Sequence, residues 1–358
     1  MTSWRGSGHG ARPTAAGLLT LAALVGAGTA HAGAAAPQAL PAGCSGASPI
    51  TCHYAVPPGD YDVTVSVGGA ADGQTEMWVE ARRLMLPATR TAAGAVATYS
   101  FTINVRQPEG QPTGQGGAGN AGLDIRFTGS GPQVSAVSVK PATRPLVAYL
   151  AGDSTVCDQP AAPYTGWGQM VTTAVRPGAA IANYADSGES SGSFLSSSAL
   201  FPALLSKVKA NDPVFIQLGH NDKQTSASAY RSNLTTMITR VRAKGGVPVL
   251  VTPPVRRLFD GNRLTSTALH VNGVGVNLPA EMRSVGEAQR VPVIDLTAKS
   301  KALVESLGPS ASAQLFLRSS VDGVTDNTHF SQYGATQMGG LLLQIIREQN
   351  LPLAAYLR

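Results

Sequence analysis

The sequence predicts two parts. An antiparallel β-sandwich comes first, and a three-layer α/β/α domain on a five-stranded parallel sheet follows. Three observations predict this. Between about 50 and 140, apolar and polar residues alternate with a period of two. The spacers between those runs are rich in Gly and Pro. After 146 the pattern changes, and short continuous apolar runs alternate with segments of helical length. At 358 residues the chain is long enough for both parts.

In the first part, "YDVTVSV" puts Tyr61, Val63, Val65 and Val67 on one face of a strand. "TYSFTINV" does the same with Tyr99, Phe101, Ile103 and Val105, and "LDIRF" and "VSAVSV" repeat the pattern more briefly. The spacers are "PPGD", "VGGAADGQ" and "QPEGQPTGQGGAGNAG". Short alternating strands with turn signals between them make a sandwich. The Gly/Gln-rich loop 110–122 is expected to be disordered, 33–43 reads as a linker, and "PATRP" at 141–145 reads as a hinge. Tyr61 and Trp78 could stack on a sugar, but their place in strand patterns favours a core role. The sandwich is therefore assigned to 33–145 and the second domain to 146–358.

In the second part the strands are "LVAYLA", "AAIANYA", "PVFIQLG", "VPVLVTP" and "VPVIDL". Between the third and fourth, Tyr230, Leu234, Met237, Ile238 and Val241 share one helical face, and Gly245-Gly246 ends the helix. In a parallel sheet of this kind ligands gather at the carboxyl ends of the strands.

Residues 1–32 have the pattern of a secretory signal. Arg5 and Arg12 form a basic start, "AAGLLTLAALVGAGTA" an apolar stretch, and "AHA" a small-residue cleavage site. The chain is expected to be secreted, without a stable membrane anchor. In an exported chain with three cysteines, Cys44 and Cys52 are close enough to pair, and Cys157 is expected to be a buried structural residue. Formal charge is +6, but no Lys/Arg run or basic stripe occurs, so nucleic acid is not an expected partner.

The chemistry is concentrated at strand ends. "AGDSTVCD" follows the first strand of the second part and places Ser154 in the turn. A serine hydroxyl needs a base, and the base needs an orienting acid. Of six histidines, His9 and His31 leave with the signal and His53 belongs to the sandwich, which leaves His220, His270 and His329. His329 has Asp326 three residues before it and a helix after it, a spacing that lets one short turn carry base and acid. "NYADSGES" ends the second strand with Gly188, and "LGHND" ends the third with Asn221, a side-chain amide that could face an oxyanion. Each piece has a plainer reading: Gly-Asp-Ser makes turns anywhere, Asn221 and Gly188 suit loops, and Asp326 could cap the next helix. Their order and placement at the ends of one sheet favour the chemical reading.

Residues 147–358 resemble the SGNH (GDSL-like) hydrolases, whose four blocks stand here as "GDSTVCD", "NYADSGES", "LGHND" and "DNTHFSQYGA". Within that superfamily the chain is similar to the rhamnogalacturonan acetylesterases, through Thr155-Val156 after the first block, "GWGQM", "GHND" and "TPPVRR". The first part resembles galactose-binding-like β-sandwiches.

The resemblance implies a flavodoxin-like three-layer fold, with Ser154 as nucleophile, His329 as base and Asp326 as its partner. It implies an oxyanion hole made by the Ser154 backbone N–H, Gly188 and Asn221. His220 is expected to be structural or substrate-binding, and Asp153 to shape the turn. His270 lies in the long loop 258–280, where it could line a pocket, but a surface position is preferred. The implied activity is removal of O-acetyl groups from pectic rhamnogalacturonan through an acyl-enzyme, with no metal or organic cofactor. The expected partner is an acetylated plant cell-wall polysaccharide, and the chain is expected to be a monomer. Two other readings stay open: the same machinery on another acetylated glycan or a lipid ester, or a carbohydrate-binding protein without activity.

Overall fold

The computed structural model describes residues 39–115 and 119–358. The expected signal at 1–32 and the start of the linker at 33–38 lie outside the described residues.

The first part holds eight strands: β1 (Cys44–Gly46), β2 (Ile50–Tyr54), β3 (Gly59–Gly68), β4 (Gly73–Val79), β5 (Arg83–Thr91), β6 (Val96–Val105), β7 (Leu123–Thr128) and β8 (Val134–Pro141). They form two antiparallel sheets, β1-β2-β7-β4-β5 and β6-β3-β8. The period-two faces meet between the sheets: Val63, Val65, Val67, Phe101 and Ile103 pack against Met77, Ile125 and Phe127. Tyr61 belongs to that core. Cys44 and Cys52 face each other in the β1–β2 register and are joined by a disulfide.

The parallel sheet has the order β10-β9-β11-β12-β15. Its strands are β9 (Leu146–Gly152), β10 (Ala179–Asn183), β11 (Pro213–Gln217), β12 (Val247–Val251) and the short β15 (Val293–Ile294). Two small antiparallel pairs lie outside it: β13 (Phe259–Asp260) with β14 (Arg263–Leu264), and β16 (Phe316–Leu317) with β17 (Asp326–Phe330). The strands of the large sheet are buried on both faces. Ala148 and Leu150 of β9 face one core with Phe215, Val249 and the helix Gln332–Glu348, while Val147, Tyr149 and Ala151 face the other. That second core holds Tyr230, Leu234, Met237, Ile238 and Val241, the expected face of the helix Ala227–Ala243. The result is the three-layer sandwich that the sequence predicts.

The expected hinge at 141–145 does not separate two independent cores. Trp78 and Leu84 of the β-sandwich belong to the same buried cluster as Leu150, Trp167 and Phe215. Trp78 also donates its Nε1–H to Glu76 at 2.8 Å, so its place is mainly internal, as its strand pattern suggests. Arg83 of β5 crosses the boundary as well. Its guanidinium lies 2.8 Å from Asp158 Oδ2, with both side chains at most 1% exposed. Asn183 Nδ2 donates to the other oxygen of Asp158 at 2.8 Å, so the carboxylate is satisfied on both sides.

Removing Arg83 takes away the close, hydrogen-bonded partner of Asp158 and leaves Arg106 at 3.8 Å as its remaining cation; losing one member of such a buried pair costs about 3–5 kcal/mol. Arg83→Ala is expected to lower unfolding free energy by about that amount in urea titration, whereas Arg358→Ala at the exposed C-terminus is expected to change it by less than about 1 kcal/mol.

Candidate active site

β9 ends at Gly152, and the next residues form the turn that carries Ser154. Asp153 organises that turn. Its backbone oxygen accepts the N–H groups of Val156 and Cys157, each at 3.0 Å. Its carboxylate accepts the Thr155 N–H at 3.0 Å and the Thr155 hydroxyl at 2.7 Å. The other carboxylate oxygen lies 3.2 Å from His220 Nδ1. A carboxylate only accepts, so Nδ1 carries the proton. Burial alone would raise the Asp153 pKa, but the His220 and Thr155 donors outweigh it and hold the carboxyl below its ordinary value. Burial pushes His220 the other way, below its ordinary value, so the ring is neutral.

A second network braces Thr155. Trp167 Nε1–H donates to Gln217 Oε1 at 2.7 Å, and Gln217 Nε2 donates to the Thr155 hydroxyl at 2.8 Å. Gln159 Nε2 donates to the Ser154 carbonyl at 2.7 Å. The serine backbone is thus fixed from two sides, while its hydroxyl faces His329.

Ser154 Oγ lies 2.8 Å from His329 Nε2, and His329 Nδ1 lies 2.6 Å from Asp326 Oδ2. Asp326 and His329 both sit on β17, so the three-residue spacing brings base and acid together as expected. The second Asp326 oxygen accepts the N–H groups of Thr328 at 2.7 Å and His329 at 3.0 Å. Burial would raise the Asp326 pKa, yet the hydrogen bonds from the His329 ring and the two backbone donors hold it well below the carboxylate range. Tyr164 packs edge-on against the His329 ring with centroids 5.4 Å apart. The Tyr164 carbonyl in turn accepts a bond from Arg82 of the sandwich at 2.9 Å.

Gly188 and Asn221 reach the same region from β10 and β11. The Asp186 N–H donates to the Gly152 carbonyl at 3.1 Å, which pins the loop after β10 to the end of β9. Ser187 Oγ lies 3.5 Å from Cys157 Sγ. Asn221 Nδ2 donates to the Glu189 carbonyl at 3.1 Å. Gly188 has φ +84°, a backbone conformation that favours glycine, and a Cβ there would meet no protein atom within 4 Å.

His220 and His270 are placed differently from one another in the expectations but together in the structure. His220 is buried, and its bond to Asp153 fits the structural one of its two expected roles, while its place in the lining of a cavity with Lys223 and Arg256 fits the substrate-binding one. His270 is not at the surface: it is 4% exposed, and it lines a cavity with His220, Arg256 and Thr328, the other placement its loop allows. Its Nε2 lies 2.7 Å from the Pro254 carbonyl, and its ring packs edge-on against His220 with centroids 4.5 Å apart. Burial pushes its pKa well below the usual histidine value. The loop 258–280 contains the β13–β14 hairpin, in which Phe259 pairs with Leu264 and Asp260 with Arg263. Cys157 is buried and free, and burial pushes its thiol well above its ordinary pKa.

A serine, an imidazole and an ionised carboxylate in line make a nucleophile, a general base and its orienting partner available together. The comparisons with known proteins agree with this geometry. Residues 150–336 match the model of the GDSL-like lipase/acylhydrolase family. The chain belongs to that family, and it is an esterase or acylhydrolase of the SGNH type. It is 37% identical over 227 residues to rhamnogalacturonan acetylesterase RhgT of Bacillus subtilis, covering 60% of this chain and 95% of that one. It is 32% identical to the probable rhamnogalacturonan acetylesterase YesY of the same organism, over 57% of this chain and 94% of that one. The crystal structure of YxiM from Bacillus subtilis aligns with a TM-score of 0.51 and 25% identity, covering 85% of this chain and 81% of that chain.

Because Asp326 is held below its ordinary value of 3.8, it stays ionised across about pH 5–8. Asp326→Asn is therefore expected to lower kcat across that whole range, by about a thousandfold or more, rather than shift the profile. Initial rates on a soluble ester measured from about pH 5 to 8 check this, and a loss confined to one end of the range contradicts it.

Proposed function

We propose that this protein is a secreted carbohydrate esterase that removes O-acetyl groups from pectic rhamnogalacturonan. The observation that carries the reading is the 2.8 Å contact between Ser154 Oγ and His329 Nε2, with Asp326 2.6 Å behind the imidazole. Ser154 Oγ attacks the acetyl carbonyl carbon while His329 Nε2 takes its proton. The Ser154 and Gly188 N–H groups and the Asn221 amide face the oxyanion. His329 returns the proton to the departing sugar oxygen, which leaves an acetyl-enzyme. Water, activated by the same imidazole, then releases acetate and restores the serine. None of these steps calls on a metal or an organic cofactor.

The acetyl and pectic parts of the reading are supported by the likeness to RhgT and YesY, whose names give that activity. A cavity of about 370 Å³ next to Thr328 adds to the support, because Lys223 and Arg256 are among its lining residues. A cavity whose lining includes two cations suits a polymer that carries carboxylates. Export is supported by the basic and apolar pattern of 1–32 and by the Cys44–Cys52 disulfide, which suits an oxidising compartment. The working form in this reading is a monomer, acting on polysaccharide outside the cell.

Acetate release from acetylated rhamnogalacturonan and acetylated xylan, beside p-nitrophenol release from a long-chain p-nitrophenyl ester, tests the reading, with Ser154→Ala as the blank. Release from the pectic polymer is expected to be the fastest and to vanish in the blank. Asn221→Ala is expected to lower kcat by roughly a hundredfold or more. Faster release from xylan or the long-chain ester would discard the pectic substrate and keep the site. Full activity in Asn221→Ala would remove that residue from the oxyanion hole.

A further inference from the structure

We propose that the β-sandwich is a working part of the catalytic site. Its segment 111–115 sets the position of the Gly188 N–H, which makes Gln111 and Thr113 positioning residues for ester cleavage. The proposal rests on Gly188 being an oxyanion donor.

Gly188 sits in a loop whose neighbours decide where its N–H lies. On the C-terminal side, the Glu189 carbonyl accepts the Asn221 amide at 3.1 Å, and the Ser191 N–H donates to Asp222 at 3.0 Å. On the N-terminal side the partners come from the sandwich. The Ser187 N–H donates to Gln111 Oε1 at 2.7 Å, and the Ser187 carbonyl accepts Gln115 Nε2 at 3.0 Å. Asp186 is fully buried, and its carboxylate accepts the Thr113 N–H at 2.8 Å, the Thr113 hydroxyl at 2.9 Å and Gln115 Nε2 at 2.8 Å. Five hydrogen bonds from 111–115 thus hold the two residues before Gly188.

The segment is itself anchored. Arg106 NH2 donates to the Gly110 carbonyl and to the Asn183 carbonyl at the end of β10, both at 2.6 Å. Its guanidinium lies over the Tyr184 ring, 4.7 Å from the centroid. Gln111 is 3% exposed, so its amide is committed to Ser187 rather than to solvent. The part of the loop that the Gly/Gln composition marks as disordered is, over 110–115, packed against the catalytic part.

The alternative role for the sandwich is an accessory module that only captures polymer. Such a module would leave the reacting groups complete without it. Here the buried Asp186 carboxylate and the Ser187 N–H would lose their partners, and a buried polar group without partners forces the backbone to move. A displacement of an oxyanion donor by about 1 Å is enough to cost a large factor in rate.

The test uses p-nitrophenyl acetate, which carries no sugar, beside the acetylated pectic polymer. Gln111→Met and Thr113→Val keep the side-chain volume and remove the polar groups, and Thr113→Ser keeps the hydroxyl. Gln111→Met and the double variant are expected to lose kcat by about tenfold or more on both substrates, with KM changed by less than about twofold. Thr113→Ser is expected to keep most of the rate that Thr113→Val loses. Thermal melting separates lost positioning from lost folding, and if the double variant unfolds, folded Gln111→Met decides by the same criterion. Unchanged kcat on p-nitrophenyl acetate, with a raised KM on the polymer alone, would overturn the proposal in favour of a capture module. Undiminished hydrolysis by Ser154→Ala would instead overturn the reading of the site itself.

Discussion

A strand that stops at the edge of a reaction centre leaves backbone donors that the sheet no longer satisfies. The buried Asp153 carboxyl group and its own carbonyl take up this task. Together they accept the N–H groups of Thr155, Val156 and Cys157, the Thr155 hydroxyl and the His220 imidazole. A charge in such a place is tolerated because the Thr155 N–H, the Thr155 hydroxyl and the His220 ring point at it. The turn cannot relax without breaking several of these bonds at once, so Ser154 is presented in one orientation. The same constraint explains why two histidines lie in the interior. His220 is neutral and supports Asp153, and His270 packs against His220 from behind.

The rest of the site is assembled by elements that end near this turn. β17 brings His329 and Asp326 as one unit, so their separation depends on a short stretch of backbone rather than on domain packing. The loop after β10 is less self-sufficient. It is tied to β9 through Asp186, to Asn221 through Glu189, and to the sandwich through Gln111, Thr113 and Gln115. The Arg83–Asp158 pair and the shared apolar cluster around Trp167 hold the sandwich in the register that this last link needs.

The parallel sheet and the main helix faces were legible because burial on two faces and a period of 3.6 both write themselves into local sequence. The approach of His329 to Asp326 was legible for the same reason, since both lie within four residues of one another. The contacts that cross the chain were not. Arg83 meets Asp158 75 residues away, and Thr113 meets Asp186 73 residues away. Such pairs carry no periodic signature, and a Gly- and Gln-rich loop reads as unstructured until its partner is known. The length of its loop favours a surface position for His270 over a pocket-lining one. The hairpin inside that loop, and the adoption of φ +60° at His270, fold it inward instead.

The central claim is that Ser154, activated by His329, is the nucleophile, and that the nearby Cys157 thiol is not. Intact-protein and peptide mass spectrometry after exposure to diethyl p-nitrophenyl phosphate tests this most directly, because the reagent phosphorylates an activated serine. The expected result is a single adduct on Ser154 that fails to form in His329→Ala. An adduct on Cys157, or one on Ser154 that forms equally well without the imidazole, would contradict the claim.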